Sequence, residues 1–167
     1  MKRLITLLLF GLMFCVMTAQ NKSDLPNIIL NDLDGNSINV SQIDNNGKPF
    51  VLAFWATWCP VDFKQFNAWT SVYENWVNET GVKIIAVSMD DERSCKKVKP
   101  VVEKKGWPFE VLLDVKGELK KAMHVSYPPM YFLFDGQGKL VFQKLGYREG
   151  DEEILYQELL KVSRKHR

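Results

Sequence analysis

The chain has 167 residues, 46% hydrophobic and 25% charged, with 10 Gly and 7 Pro, which is enough for one core and short for two. That composition excludes intrinsic disorder, a collagen-like repeat and a disulfide-packed miniprotein. The formal charge of +2 comes from 22 Lys and Arg against 20 Asp and Glu, and setting aside Lys2 and Arg3 leaves 20 against 20, without the basic footprint of a nucleic-acid binder.

Residues 1–19 read as a signal peptide: Lys2 and Arg3 come first, an apolar run extends from Leu4 to Met17, and Thr18, Ala19 and Gln20 turn small and polar. The run is short for a membrane span, which needs about 20 apolar residues. Ala19 suits the last leader position, but Met17 is bulky two positions earlier, so cleavage and an uncleaved anchor both stay open. Phe14 ahead of Cys15 argues against lipid attachment. Residues 20–167 then read as one domain that is periplasmic or otherwise extracytoplasmic, held at a membrane only if the leader is kept.

Ser23 to Val40, broken by Asp34-Gly35-Asn36, predicts a hairpin. Pro49 to Thr57 is a near-continuous apolar run, the mark of a strand covered on both faces. After Pro60, the residues Phe63, Phe66, Trp69, Val72, Tyr73, Trp76 and Val77 recur at three and four, predicting a core-facing helix that ends near Gly81. Val82 to Ser88 is a second buried strand. Asp90-Asp91-Glu92 then supplies the acidic start of a lysine-rich helix through Cys95, Val98 and Val101 to Gly106, kinked or split by Pro100. A strand at Phe109–Leu113, a helix at Glu118–Met123, a strand at Met130–Phe134, a turn at Asp135–Gly138, a strand at Lys139–Leu145 and a helix at Asp151–Lys165 complete the chain. The basic end from Arg164 to Arg167 reads as a solvated helix terminus. This alternation predicts an α/β fold with a central sheet, parallel in part and covered by helices on both faces.

Beyond the leader the cysteines are Cys59 and Cys95, with no CxxC pair and no zinc-ligand spacing, so one structural disulfide and free thiol chemistry both stay open. Cys59 falls just past the apolar strand and at the start of the long helix, between Trp58 and Pro60. A helix N-terminus presents unpaired N–H groups and partial positive charge, which favour a thiolate there, and proline is tolerated in the first turn.

The segment Phe54-Trp55-Ala56-Thr57-Trp58-Cys59 resembles the active-site entry of thioredoxin-fold proteins, especially the exported TlpA/ResA-type thiol-disulfide oxidoreductases. The likeness extends to Leu33-Asp34-Gly35, to VKIIAVSMDD, to FEVLLD, and to Pro129-Met130-Tyr131-Phe132-Leu133-Phe134-Asp135. It implies a three-layer α/β/α thioredoxin-like fold with a central mixed sheet and an N-terminal β-hairpin extension. It further implies a cis Pro128–Pro129 bond beside Cys59, permitted because cis bonds are almost confined to X-Pro. Trp58, Pro60, Pro128, Pro129 and Met130 would form the groove that receives a protein substrate.

Several residues depart from that pattern. The resolving cysteine of WCxxC is replaced by Asp62, so the internal attack that completes dithiol exchange cannot occur at this position. A carboxylate near Cys59 also opposes the helix terminus by disfavouring the thiolate. Gln65 stands where these proteins often carry glutamate, Asn67 at a common helix-kinking proline, and Ala53 at the buried aspartate of thioredoxin. Leu52 and Ala56 occupy the Pro and Thr positions of the peroxiredoxin pattern PxxxTxxC, which disfavours a peroxidase. Cys95 is a candidate remote resolving thiol, provided its Cα comes within about 7 Å of that of Cys59. His124, with Cys59 and Met130, supplies too little of a ligand set for a metal, and neither metal nor cofactor is predicted. Two functions remain. One is a monomeric monothiol protein, with Cys59 and Asp62 as catalytic pair, that reacts with extracytoplasmic protein thiols or disulfides and is released by an external thiol. The other is a peptide-binding module that keeps the groove without turnover.

Overall fold

The computed structural model describes residues 23–165, so the leader expected at 1–19 with Cys15, together with His166 and Arg167, lies outside the described residues. In chain order the elements are β1 (Ile29–Asp32), β2 (Ser37–Asn39), β3 (Phe50–Trp55), α1 (Pro60–Thr80), β4 (Lys83–Ser88) and α2 (Val98–Lys105). They continue with β5 (Glu110–Leu113), α3 (Glu118–Ala122), β6 (Met130–Phe134), β7 (Leu140–Leu145) and α4 (Asp151–Lys165). The strands form one mixed sheet in the order β2-β1-β5-β4-β3-β6-β7. Its centre is parallel, β3 with β4 and β4 with β5, and the pairs of β6 with β3, β7 with β6, β1 with β5 and β1 with β2 are antiparallel.

Handedness decides the layers. The crossovers β3-α1-β4 and β4-α2-β5 step the same way across the sheet, so the right-handed rule places α1 and α2 on one face. Val51, Ala53 and Trp55 of β3 meet Phe66, Trp69 and Trp76 of α1, Val98 and Val102 of α2, and Leu155 and Leu159 of α4 on that face. Phe50, Leu52 and Phe54, alternating with them, pack on the other face with Leu25, Val40, Val125 and Leu119 of α3. All six residues of β3 are therefore buried, the physical reason its sequence runs apolar without alternation.

The α1 face is held largely by aromatic edges. Trp55 meets Trp107 edge-on at 5.3 Å, Phe66 meets Trp107 at 5.1 Å, and Trp69 meets Tyr131 at 5.2 Å between ring centroids. Pairs of this geometry add about 0.5–1.5 kcal/mol to the burial of the rings. Gly81 ends α1 in the left-handed region at φ 69°, closing on the Val77 carbonyl at 2.8 Å, a conformation glycine adopts without a Cβ penalty.

The helix expected from Asp90 to Gly106 is corrected. A 3-10 turn at Cys95–Lys97 precedes α2, so the break falls before Pro100. Pro100 is the third residue of α2, where its missing N–H leaves no intrahelical bond unmade. Asp91 does not begin the helix but turns the chain ahead of it, accepting the N–H groups of Arg93 and Ser94 at 3.1 and 3.0 Å. Asp90 points inward instead.

Candidate active site

The turn after β3 carries Cys59. Pro60 is the first residue of α1 and Cys59 its N-cap, at φ −104° and ψ 105°. The Cys59 N–H donates to the Ala56 carbonyl at 3.1 Å, and the Asp62 N–H donates to the Cys59 carbonyl at 3.2 Å. The half-buried Cys59 thiol donates a weak hydrogen bond to the Pro128 carbonyl at 3.9 Å. The Pro128–Pro129 bond is cis, and both prolines are buried. Around this point the surface is apolar: Trp58 is 60% exposed, Tyr127 is 56% exposed, and Val61 is exposed as well. Met130, half-buried, opens β6 opposite Phe54 and Leu145.

Asp62 is the least usual feature. It sits in the first turn of α1, where an acidic side chain ordinarily faces water near the helix dipole, yet it has no solvent exposure. Its Oδ2 accepts the Ala56 N–H at 2.8 Å, while Oδ1 has no hydrogen-bond partner. Burial pushes its pKa up to about 7, with the negative charge of Asp90 adding to the rise and the hydrogen bond from the Ala56 N–H opposing it. The Cys59 thiol is raised too, first by burial and then by the Asp62 carboxyl, which outweigh the backbone N–H groups of Asp62 and Val61. In the contest between helix terminus and carboxylate, the thiol keeps its proton.

A second buried carboxylate fixes the turn. Asp90 is 1% exposed and accepts the Thr57 N–H at 2.8 Å, the Thr57 hydroxyl at 2.6 Å and the Ser88 hydroxyl at 3.0 Å. The turn bearing Trp58 and Cys59 is thus strapped to the end of β4. The other departures also fall under or beside α1. Gln65 is buried with Oε1 unpartnered, as are Trp55 Nε1 and the Tyr131 hydroxyl, and Asn67 accepts the Trp107 indole N–H at 3.0 Å. Ala53 pairs with Tyr131 on the α1 face of the sheet.

Cys95 is not paired with Cys59: both thiols are free, and Cys95 Sγ lies 3.6 Å from the Glu92 carbonyl in its own turn. His124 is exposed and left-handed at φ 55°. Among the described residues no three His, Cys, Asp or Glu side chains are grouped to hold a metal.

A mixed sheet of this order, with a cysteine capping the helix after its central strand and facing an X-Pro bend, defines a thioredoxin-fold protein. Residues 22–143 match the AhpC/TSA family, and the chain belongs to it. It is similar to the thiol-disulfide oxidoreductase ResA of Bacillus subtilis (strain 168), 34% identical over 119 residues that span 71% of this chain and 64% of that protein. It is 33% identical over 140 residues to ResA of Bacillus thuringiensis subsp. konkukian (strain 97-27), covering 84% of this chain and 77% of that one. Among solved structures, an uncharacterized thioredoxin-like protein from Porphyromonas gingivalis superposes with a TM-score of 0.78 at 38% identity, covering 87% of this chain and 95% of that one. A protein from Chlorobium tepidum described as thiol:disulfide interchange protein DsbE gives 0.71 at 27% identity, covering 85% and 97%. The resemblance read from FWATWC holds for fold and family.

Proposed function

We propose that the protein is an exported, single-thiol member of the ResA/DsbE-like group, in which Cys59 exchanges with protein thiols or disulfides and an external thiol releases it. One observation carries this reading: the Cys59 thiol, at the head of α1 and against the Pro128 carbonyl, has the buried Asp62 carboxyl three residues on, where a second sulfur would complete dithiol exchange. The relatives named thiol-disulfide oxidoreductase and thiol:disulfide interchange protein support the partner class. During exchange Cys59 passes its proton to the Asp62 carboxylate and its sulfur attacks one sulfur of the partner disulfide. That S–S bond breaks, a new one forms to Cys59, and the departing sulfur takes the proton from Asp62. Cys59 is oxidised and the departing sulfur reduced. Trp58, Pro60, Pro128, Pro129 and Met130 wall the groove in which the partner lies. The leader at 1–19 sends domain 20–167 out of the cytoplasm as a monomer, tethered if the leader is uncut.

The peptide-binding reading without turnover has one observation in its favour, the raised Cys59 thiol. Trapping separates the two. In the exporting cell, wild type should yield disulfide-linked partner adducts on non-reducing gels, and Cys59→Ala should yield none. Absence of adducts from both wild type and Cys95→Ser would refute exchange and leave the binding module. Adducts appearing only in Cys95→Ser would instead make Cys95 the remote resolving thiol.

A further inference from the structure

A cavity of about 590 Å³ lies between the first turns of α1 and the segment joining β7 to α4. It falls within the range of about 300–1,000 Å³ typical of small-ligand sites. Cys59 does not line it but lies close by along the chain. Val61, on its α1 wall, is two residues past Cys59, and its opposite wall begins at Tyr147, directly after Gly146, whose N–H donates to the Pro129 carbonyl at 2.7 Å. Its charges are mixed: Lys64 and Arg148 line it with Glu149 and Glu152. Among the described residues neither Lys64 nor Arg148 is in an ion pair. Asp151 accepts Lys144 at 2.7 Å and the Arg148 backbone N–H at 2.7 Å, with the Arg148 charge also holding it ionised, and Glu152 accepts the Tyr147 hydroxyl at 3.0 Å.

We propose that this cavity binds the low-molecular-weight thiol that releases Cys59, and that this thiol is a zwitterionic aminothiol of the cysteine type. The inference rests on the single-thiol reading and names its second substrate. The two cationic side chains receive the carboxylate through charge-assisted hydrogen bonds, and the two glutamates receive the ammonium group. The bound thiolate attacks the Cys59 sulfur of the mixed disulfide, and the partner's sulfur leaves and is protonated. A second aminothiol then attacks the first, freeing Cys59 as a thiol and departing as the aminothiol disulfide. Two aminothiols are oxidised to one disulfide, while Cys59 and the partner are each reduced to thiols.

The test uses the Cys95→Ser protein with Cys59 converted to its neutral 2-pyridyl mixed disulfide, following the release of 2-thiopyridone. Comparing L-cysteine with 2-mercaptoethanol as a ratio of rates, before and after substitution, cancels the intrinsic reactivity of each thiol. The ratio is expected to fall about tenfold in Lys64→Met/Arg148→Met, the loss of two charge-assisted contacts. In Lys64→Glu/Arg148→Glu the preference should swing toward the purely cationic cysteamine. Lys116→Met, between β5 and α3 and outside this cavity's lining, serves as control and should keep the wild-type ratio. A ratio unchanged within twofold in both double variants, with release intact, overturns the cavity's role alone. Failure of every thiol to release 2-thiopyridone overturns the single-thiol reading and this inference with it.

Discussion

Replacing Asp62 by Asn should flatten the dependence of stability on pH. In the folded protein burial lifts the Asp62 carboxyl from 3.8 to about 7, so between those values the native state holds a proton that the unfolded chain has lost. Stability falls wherever the native state binds more protons than the unfolded state as pH rises, so the stabilisation is complete below about pH 4 and gone above about pH 7. At about 1.4 kcal/mol per pH unit the ceiling on this loss is about 4 kcal/mol, a large share of the 5–15 kcal/mol that holds a typical domain together. Asn keeps an acceptor for the Ala56 N–H but cannot ionise. Other groups shift too: Asp114 is raised by burial, and Asp24, Asp32, Asp91 and Asp151 are lowered by their hydrogen bonds and cations. They are common to both proteins and cancel in the difference. Urea unfolding of wild type and Asp62→Asn at half-unit steps from pH 4.5 to 8.5 reads that difference directly. Wild type should lose about 2–4 kcal/mol more than the variant across the range. Parallel curves would refute the picture of a carboxyl buried and protonated beneath α1.

Alkylation of Cys59 by iodoacetamide should titrate above the usual thiol value in wild type. In Asp62→Asn the midpoint should drop, because a repelling carboxylate is gone, and an unmoved midpoint would take Asp62 out of the thiol's electrostatics. Exchange with an unactivated disulfide should speed up less than alkylation in the same variant, since the departing sulfur loses its proton donor; equal gains would remove Asp62 from proton transfer. Asp90→Ala strips Thr57 and Ser88 of their shared acceptor and should cost about 2–4 kcal/mol in urea unfolding. Gly136→Ala places a Cβ 2.0 Å from the Gly47 carbonyl oxygen, backbone against backbone, and should lower stability by about 1–3 kcal/mol, read as a drop in Tm.

The sheet and its helices could be read from the chain because burial leaves a pattern. A strand covered on both faces must be apolar throughout, as Phe50–Trp55 is, and a helix on a sheet repeats its apolar residues at three and four, as Phe66, Trp69 and Trp76 do. The site was legible in part. Cys59 at the head of α1 and the Pro128–Pro129 bend follow from motif and position, but the fates of Asp62 and Asp90 do not. Acidic residues near helix starts ordinarily face solvent, whereas the structure turns both inward. A signal for Asp62 and Gln65 was present: helical spacing back from Phe66 and Trp69 puts positions 62 and 65 on the buried stripe. For Asp90 there was none, because its partners Thr57 and Ser88 belong to neighbouring strand ends that only the folded sheet brings together. The hydrogen bond between Asn67 and Trp107 is likewise a product of packing the α2–β5 segment against α1.

The strap from Asp90 to Thr57, together with the grip of Asp62 on Ala56, is made of oxygen and nitrogen. Reductants and oxidants that change the state of Cys59 leave these contacts untouched. The frame beneath the sulfur is accordingly built from atoms that have no redox chemistry of their own, so its covalent make-up stays the same whichever oxidation state Cys59 is in.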